Sequence, residues 1–400
     1  MGVSELLARA ASGQAHALVV EVPGWWRVRA DVERAVFARG WSLAFAPADA
    51  DVLVVCGEPG PRLAEAVELV WHQLPGPRVR VDVRDYDDAG GRLDDAHAAL
   101  LDAASHRHDA QHRPAGPDLL PALSESSSEN HGEHEGRDHG APEEMDHGAH
   151  EGMDHSAHEG HGEMDHGAHG GMDHSAHGGH GGMDMSPGGI PLAEGGEDRD
   201  GLEMDVLTVR LGPVLPYWPA GFVLRCSLQG DVITTADAEL VDPARSLDAP
   251  PDSRVRSLDN AVSLLALAGW DDAAAQARRV RDTVLERGWS DVATAGLHRL
   301  RRKVRRSWLL RWSLRDVAEW SGQEVRYWGL PSDAVGDAYD RLLRMLDRAA
   351  SDAGQERSYP IESLAQAVTG LDLASARLAL ASFDAHELRA AHFAPEVRHG

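Results

Sequence analysis

The chain has little cysteine, and its apolar runs are short. Cys56 and Cys226 are the two cysteines in 400 residues, one in each half. Two isolated thiols cannot by themselves ligate an iron–sulfur cluster or form a zinc knuckle, and they give no disulfide framework. No apolar run approaches the roughly 18 residues of a membrane span, and the chain does not begin with a basic region followed by an apolar run. We therefore expect neither a transmembrane helix nor a signal peptide.

Positive charge is also scarce. Lys and Arg number 39 against 65 Asp and Glu, which gives a formal net charge of −26 at pH 7. Because like charge repels phosphate, this balance argues against broad nucleic-acid binding and favours a soluble, cytoplasmic protein. The sequence contains no Gly-x-Gly-x-x-Gly, no phosphate loop and no Ser/His/Asp motif in suitable context, so it predicts no familiar enzyme class.

The stretch from His131 to Met185 differs in composition from everything around it. It holds thirteen of the 23 histidines and six of the nine methionines, and between Glu151 and Met183 it has no Leu, Ile, Val, Phe, Tyr or Trp. Such a segment buries too little apolar surface to offset the entropy of ordering it, so we expect disorder. The predicted organisation is an α/β parallel-sheet domain at 1–104, a disordered His/Met/Asp/Gly-rich linker at 105–200, and an α+β C-terminal domain made of a β-hairpin segment at 201–245 and a helical bundle at 246–400.

A repeated motif within this tract predicts metal binding. Four copies of Met-Asp-His-(Gly/Ser)-Ala-His form a 19-residue block that occurs twice. Imidazole suits copper(II), nickel and zinc, and thioether favours copper(I), although a solvated spacer that takes up metal adventitiously is the alternative. Only neutral imidazole binds, so capture should fail below about pH 6. The predicted ligands are Met145, Met153, Met164, Met172, His147, His150, His155, His158, His161, His166, His169, His174, His177 and His180.

Strand-length apolar runs alternate with helical stretches in the N-terminal domain, which predicts a small parallel sheet covered on both faces. The predicted strands are Ala17–Val22, Trp41–Ala46, Asp51–Cys56 and Arg78–Val83, and the predicted helices are Ala30–Ala38, Pro59–Gln73 and Leu93–Ala104. Ligands of such sheets bind beyond the carboxyl ends of the strands. Here those ends lie near Pro23–Trp26, Gly57–Gly60 and Arg84–Tyr86.

One segment of this domain resembles a known family. The run ADADVLVVCGEPGPRLAEAVELVWHQLPGPRVRVDV, with its closing pattern Trp71-His72-Gln73-Leu74-Pro75-Gly76-Pro77-Arg78, is similar to the cluster-binding subunit of NADH-quinone oxidoreductase (respiratory complex I), the relative of the hydrogenase small subunit. That family binds a tetranuclear iron–sulfur cluster through cysteines that follow two strands. The corresponding positions here are Pro23, Gly24, Trp25 and Trp26 after the first strand, and Arg84 and Asp85 after the later one. No cluster is therefore expected from this chain alone, and Cys56 is predicted to be a small buried hydrophobe.

The C-terminal region begins with strands and continues with helices. A hairpin turn is predicted at Gln229-Gly230-Asp231, with Ser290 and Ser332 as N-caps and Gly288 and Gly370 as helix terminators. The predicted strands are Asp205–Leu211, Phe222–Leu228 and Val232–Ala236. The predicted helices are Leu258–Leu267, Asp271–Arg287, Asp291–Ser321, Asp333–Ala353, Ile361–Val368 and Asp372–Ala390.

This region resembles the quinone-site subunit of the same enzyme, the relative of the hydrogenase large subunit. The similar segments are LTVRLGPVLPYWPAGFVLRCSLQGDVITTADAEL and LDNAVSLLALAGWDDAAAQARRVRDTVLERG. In complex I two family histidines of the first segment lie near the quinone head. Here the first corresponds to Leu215, and the second falls near Ala220. The resemblance therefore implies the fold without quinone chemistry by that route.

The stretch His298–Arg315 (HRLRRKVRRSWLLRWSLR) is strongly basic. One interpretation is a helix whose arginines pair with acidic neighbours. The other is a docking face for an acidic partner or for membrane headgroups, with Trp308 and Trp312 four residues apart on one side. The acidic candidates are Asp333, Asp337, Asp340 and Asp347.

The cluster-binding and quinone-site subunits are neighbours in complex I, so the two resemblances reinforce each other. Together they imply a fused, redox-inactive structural or accessory subunit of a complex-I-like membrane assembly, cytoplasmic or peripheral on the cytoplasmic face of the inner membrane. Its expected partners are subunits of that assembly, and its expected metals are copper, nickel or zinc in the linker. Two alternatives stay open. One is a protein that stores or delivers nickel, copper or zinc, and the other is an electron-transfer subunit whose cluster ligands come from a partner.

Overall fold

A computed structural model describes residues 13–113, 194–197, 203–243, 252–351 and 358–389. The chain divides into two units, one formed by Met1–Pro117 together with Leu192–Gly400, and the other by Asp118–Pro191. Residues 118–191 lie outside the described ranges. The disorder predicted for residues 118–191 therefore concerns a part of the chain that the structure does not describe. We call residues 13–113 the N-terminal half and the described residues between 194 and 389 the C-terminal half.

The N-terminal half contains the predicted parallel sheet. The strands are β1 His16–Glu21, β2 Ser42–Leu43, β3 Val52–Cys56 and β4 Val79–Val83, and the helices are α1 Trp26–Ala38, α2 Pro61–Gln73, α3 Ala89–Leu100 and α4 Ala103–His112. The strand order is β2-β1-β3-β4, and Glu21 pairs with Cys56, which pairs with Val83 at the carboxyl end. The inner strand β3 is buried along its whole length because helices cover both faces of the sheet.

Side chains of the strands alternate between the two covered faces. On one face, Val52, Val54 and Cys56 pack with α1 and α3. On the other face, Leu53 and Val55 pack with α2. This alternation follows from the two-residue period of a strand, and it explains why the sequence of β3 is apolar at every position.

Two predicted helices of this half differ most from the observed ones. The helix predicted over Leu93–Ala104 is interrupted, because Asp102 accepts hydrogen bonds from the backbone N–H groups of Ala104 and Ser105 and so caps α4. Helix α4 thereby continues past the boundary predicted after residue 104. Helix α1 begins at Trp26, four residues before the predicted start at Ala30.

The C-terminal half contains an antiparallel sheet and helices, as predicted. The strands are β5 Glu194–Glu197, β6 Glu203–Leu211, β7 Phe222–Gln229, β8 Val232–Leu240, β9 Tyr359–Pro360 and β10 Leu388–Arg389. The helices are α5 Ser253–Leu267, α6 Asp271–Arg287, α7 Asp291–Arg306, α8 Trp308–Leu314, α9 Gly322–Tyr327, α10 Ala338–Ala349, α11 Glu362–Val368 and α12 Leu373–Ala381. The order of the larger sheet is β5-β6-β7-β8, and the helices form two packing groups. Helices α5, α6, α7 and α10 build one apolar core, while α11 and most of α12 cover the sheet.

The long helix predicted over Asp291–Ser321 is wrong. Ser307 ends α7 and its hydroxyl caps α8 by accepting a hydrogen bond from the Leu310 N–H. Beyond α8 the chain turns at Asp316 and Ala318, whose φ values of +61° and +47° are incompatible with a continuing helix.

The helix predicted over Asp372–Ala390 is too long. Helix α12 ends at Ala381, and its Asp372 cap accepts a hydrogen bond from the Ser375 N–H. The chain then extends so that Leu388 of β10 pairs with Tyr359 of β9. A strand at this position excludes the continuing helix.

The predicted capping residues have mixed outcomes. Ser290 caps α7 as predicted, and Gly288 ends α6 with φ +69°. The prediction for Ser332 is wrong, since that residue lies within a short 3-10 helix. Asp337 caps α10 instead, by accepting a hydrogen bond from the Asp340 N–H.

Candidate functional site

The carboxyl edge of the parallel sheet, where a ligand would be expected, is occupied by the protein itself. The indole of Trp25 lies directly against the backbone of Gly57, where a Cβ atom would overlap it. The C-terminal half covers the neighbouring loop, because the Leu63 N–H donates a 2.7 Å hydrogen bond to Asp242. Gly60 lies against the same aspartate. This edge therefore serves as an interface between the two halves.

A second part of the interface is a set of buried charges, which we call the interface ion cluster: Arg29, Glu33, Asp259 and Arg281. Glu33 accepts hydrogen bonds from Arg29 at 2.5 Å and from Arg281 at 2.9 Å. Asp259 likewise bridges the two arginines, at 2.6 Å from Arg281 and in contact with Arg29. Because α1 supplies one pair and α5 and α6 the other, the cluster joins the N-terminal half to the helical core.

An apolar contact between the two halves lies beside the interface ion cluster. Trp26 and Ala30 of α1 pack against Val255 and Val284 of the C-terminal half. The Arg281 side chain has no exposed surface. Charge pairs in such a setting are screened little by solvent, and each ion depends on its partners.

The pKa values in the interface ion cluster reflect this competition between burial and pairing. Burial alone would raise the pKa of Glu33, but Arg29 and Arg281 outweigh it and lower the pKa to about 2. Glu21 also accepts a 2.5 Å hydrogen bond from Arg29, yet burial dominates there and raises its pKa. Glu33 and Glu21 both contact Arg29, yet their pKa values are shifted in opposite directions.

The interface contains a partly open cavity of about 100 Å³, large enough for several water molecules. Residues of β1 and α1 form one wall, and the segment Pro213–Ala220 forms another. Four aromatic side chains, Trp26, Tyr217, Trp218 and Phe383, line it together with Glu21. Burial raises the pKa of Tyr217, whose hydroxyl accepts a 2.8 Å hydrogen bond from Arg278. We call this space the interface cavity.

The segment that resembles the start of the quinone-site subunit lies at the interface cavity. Leu215, which the resemblance compares with the first family histidine, and Ala220, near the second, both line the wall. His386 also lines it, from the region after α12. Sequence reasoning missed His386, since it follows α12 far along the chain from Leu215.

The cysteines of the chain do not fit an iron–sulfur cluster. Cys56 is buried at the end of β3, and burial, reinforced by Glu21, raises the pKa of its thiol well above the usual range. Cys226 lies in a different apolar core, that of the antiparallel sheet. The prediction that Cys56 is a buried small side chain is confirmed. In the part of the chain that the structure describes, no second thiol reaches the carboxyl edge of the parallel sheet.

The predicted metal ligands of the tract all lie outside the described residues. They are Met145, Met153, Met164, Met172, His147, His150, His155, His158, His161, His166, His169, His174, His177 and His180. Within the ranges that the structure does describe, no group of three or more His, Cys, Asp or Glu side chains is arranged to hold a metal ion.

The basic stretch His298–Arg315 is only partly neutralised by the acidic neighbours predicted for it. Arg301 and Arg305 both pair with Asp347, one of the four candidate aspartates. Asp333 instead pairs with Arg348, which lies outside the stretch. The interpretation as a paired helix therefore holds for part of the stretch.

Sequence reasoning missed the interface ion cluster, although it leaves a signal. Arg281 occupies the helical face that also holds Ala277, Val280 and Val284, all of them buried. A charged residue at an apolar position of an amphipathic helix indicates a buried ionic partner.

Comparisons with known proteins give no relative: no family model, curated protein or solved structure matches the chain. The resemblance to the two complex I subunits therefore rests on the sequence patterns alone. Among the described residues, no helix combines the length and apolar character needed to cross a membrane.

Proposed function

We propose that the chain is a redox-inactive structural subunit of a complex-I-like assembly, in which a half like the cluster-binding subunit and a half like the quinone-site subunit are fused. The proposal rests mainly on the interface ion cluster, with Arg29 and Arg281 each paired to both Glu33 and Asp259. The two corresponding subunits are neighbours in complex I, and an interface of this kind is expected if the two halves keep that relationship.

Two further features support a structural role over electron transfer. Trp25 fills the carboxyl edge where cluster cysteines would stand. Leu215 and Ala220 line the interface cavity where the family has histidines. Neither side chain can donate or accept a proton, so these two positions lack the groups that the family's histidines would supply.

The test is anaerobic affinity purification of the tagged full-length protein from its native cells, with chemical cross-linking, iron and acid-labile sulfide analysis. We expect membrane subunits of a complex-I-like assembly to co-purify, cross-linked through both halves, and no iron or sulfide above background. One cluster per chain would contradict redox inactivity. Absence of any membrane subunit from the cross-linked material would contradict the assembly itself.

A second candidate function is metal storage or delivery, favoured by the repeated Met-Asp-His-(Gly/Ser)-Ala-His block. Calorimetric titration with copper(II), nickel and zinc should show several bound ions per chain at neutral pH. Below about pH 6 binding should weaken strongly, because protonated imidazole has no lone pair to offer. The matched control lacks His131–Met185, and undiminished binding by that variant would contradict a site in the tract.

A further inference from the structure

One face of the C-terminal half combines arginines with exposed indoles. We call it the arginine–tryptophan face; its members are Arg299, Arg302, Arg306, Trp308, Leu309, Arg311 and Trp312. Helix α7 turns its apolar side inward through Leu297, Leu300 and Val304, which places the arginines at 299, 302 and 306 on one outer stripe. The face thus results from two amphipathic helices packed on the core.

The aromatic side chains of this face point into solvent. Trp308 is 76 % exposed and Trp312 is 70 % exposed, and Leu309 beside them is 48 % exposed. Leu310 and Leu314 of the same helix are buried and hold α8 on the core. Large apolar groups gathered at one surface position mark an interaction site more often than scattered ones do.

Several arginines beside these indoles have no acidic partner among the residues that the structure describes. Arg299, Arg302, Arg306 and Arg311 form no ion pair with any residue in the described ranges. Among the described residues, a shallow adjoining depression is lined by His298, Arg301, Arg302, Arg305 and Arg306, of which Arg301 and Arg305 already pair with Asp347. A concave surface lined by guanidinium groups suits phosphate, which arginine binds through paired hydrogen bonds.

We propose that the arginine–tryptophan face docks on the surface of an anionic phospholipid bilayer. Indoles favour the boundary between water and acyl chains, and guanidinium groups beside them bind lipid phosphates. The formal charge of −26 on the whole chain disfavours random adsorption on such a surface, so attraction must be local and oriented. This inference goes beyond the proposed function and does not depend on it.

Another candidate occupant is the chain's own acidic tract, residues 131–185. That tract has no aromatic residue, and between Glu151 and Met183 it has no large aliphatic one. It could neutralise arginines but could bury little of the surface of two indoles. The membrane accounts for both components of the face.

The test is co-flotation of the full-length protein with phosphatidylcholine vesicles, with and without phosphatidylglycerol. We expect binding only to the anionic vesicles, release at high salt because the charges are screened, and a blue shift of tryptophan emission. The triple variant Arg299→Glu, Arg302→Glu, Arg306→Glu should lose about 100-fold in partition coefficient or more, at about fivefold per arginine. Trp308→Ala with Trp312→Ala should lose about tenfold and abolish the blue shift.

The matched control changes the same amount of charge elsewhere on the surface. Arg84, Arg92 and Arg107 are exposed arginines of the N-terminal half. Reversing these three to Glu should leave the partition coefficient within about threefold of the original, since the effect of distant charges is screened by salt. Circular dichroism should show that each variant keeps the helical content of the original protein.

Several outcomes would overturn the proposal. Equal binding to both kinds of vesicle would exclude recognition of anionic lipid, and equal losses in the control variant would exclude this face. Binding of soluble polyglutamate through the same arginines, with no vesicle binding, would identify an acidic protein partner. Vesicle binding that appears only after deletion of His131–Met185 would identify the tract as the occupant in the intact chain.

Discussion

Arginine occurs in opposite settings at the interface ion cluster and on the arginine–tryptophan face. Arg281 is fully buried and pairs with Glu33 and Asp259, whereas Arg302 is exposed and has no acidic partner among the described residues. Removing one partner of a buried cation destabilises the fold, because it leaves an uncompensated charge in the interior. An exposed cation contributes little to folding and stays available for another molecule. The same side chain therefore stabilises the fold in one region and presents a binding surface in the other.

The largest expected difference follows from removing a cation from each region. Arg281→Met leaves Glu33 and Asp259 with only Arg29, and we expect the free energy of unfolding to fall by about 3–5 kcal/mol. The matched variant Arg302→Met should change it by no more than about 0.5 kcal/mol. Urea denaturation of the two variants measures both values. Similar values for the two variants would contradict the distinction between the regions.

The next largest effect is a pH dependence located at Glu33. The pKa of Glu33 is lowered from 4.5 to about 2 in the folded chain. The stabilisation of the folded state by its charge is therefore complete above pH 4.5 and is lost as the pH falls through about 2. The shift corresponds to a contribution on the order of 3 kcal/mol near neutral pH. The stability difference between the original protein and Glu33→Gln should therefore shrink on acidification. A difference that is constant with pH would show that the charge of Glu33 is not responsible.

A smaller effect is expected at Glu21, which shares Arg29 with Glu33. Burial raises the pKa of Glu21, so its contribution to stability declines as pH rises from the ordinary value through the raised one. Glu21→Gln removes a costly buried charge, while Arg29 keeps Glu33 and Asp259. We expect a change within about 1 kcal/mol at neutral pH in denaturant titrations. A loss as large as that of Glu33→Gln would mean that both carboxylates are stabilised equally.

The smallest effect on folding is expected on the arginine–tryptophan face. Trp308→Ala with Trp312→Ala removes two largely exposed indoles, so thermal unfolding should be nearly unchanged, with the free energy within about 0.5 kcal/mol. The same variant should lose vesicle binding. A marked loss of thermal stability would instead assign these indoles to a structural contact.

Elements with a strong local pattern could be predicted from the sequence. Strand β3 is apolar at each of its five positions, and helix α6 has both of its predicted bounds, Asp271 and Arg287. In both cases the pattern and the end signals lie within one short stretch, such as Gly288 after α6. Local rules are sufficient where local interactions decide the structure.

The turn after α8 could not be predicted in this way. Arg341 donates hydrogen bonds to the carbonyl groups of Ala318, Ala334 and Gly336 and so holds the chain in its non-helical course. Burial lowers the pKa of Arg341 to about 9, because the charged guanidinium is withdrawn from water. Its partners lie up to 23 residues away, beyond any local window.

The candidate site was less predictable than the fold for the same reason. Glu33 and Arg281 meet across 248 residues, and the sequence shows only that each interrupts an apolar helical face. Their pairing becomes evident once the halves pack. The lack of cysteine and histidine at the positions that the resemblance compares could, in contrast, be read at single residues such as Trp25 and Leu215.

The interface ion cluster has a consequence for how the chain could be divided. The two halves form one compact unit although residues 118–191 separate them in sequence. Their covalent connection raises the effective concentration of one half near the other, while the paired charges and the contact of Trp26 supply the affinity. Two polypeptides separated within residues 118–191 should therefore reassemble on mixing, as a split protein whose complementation reports on Arg29 and Arg281.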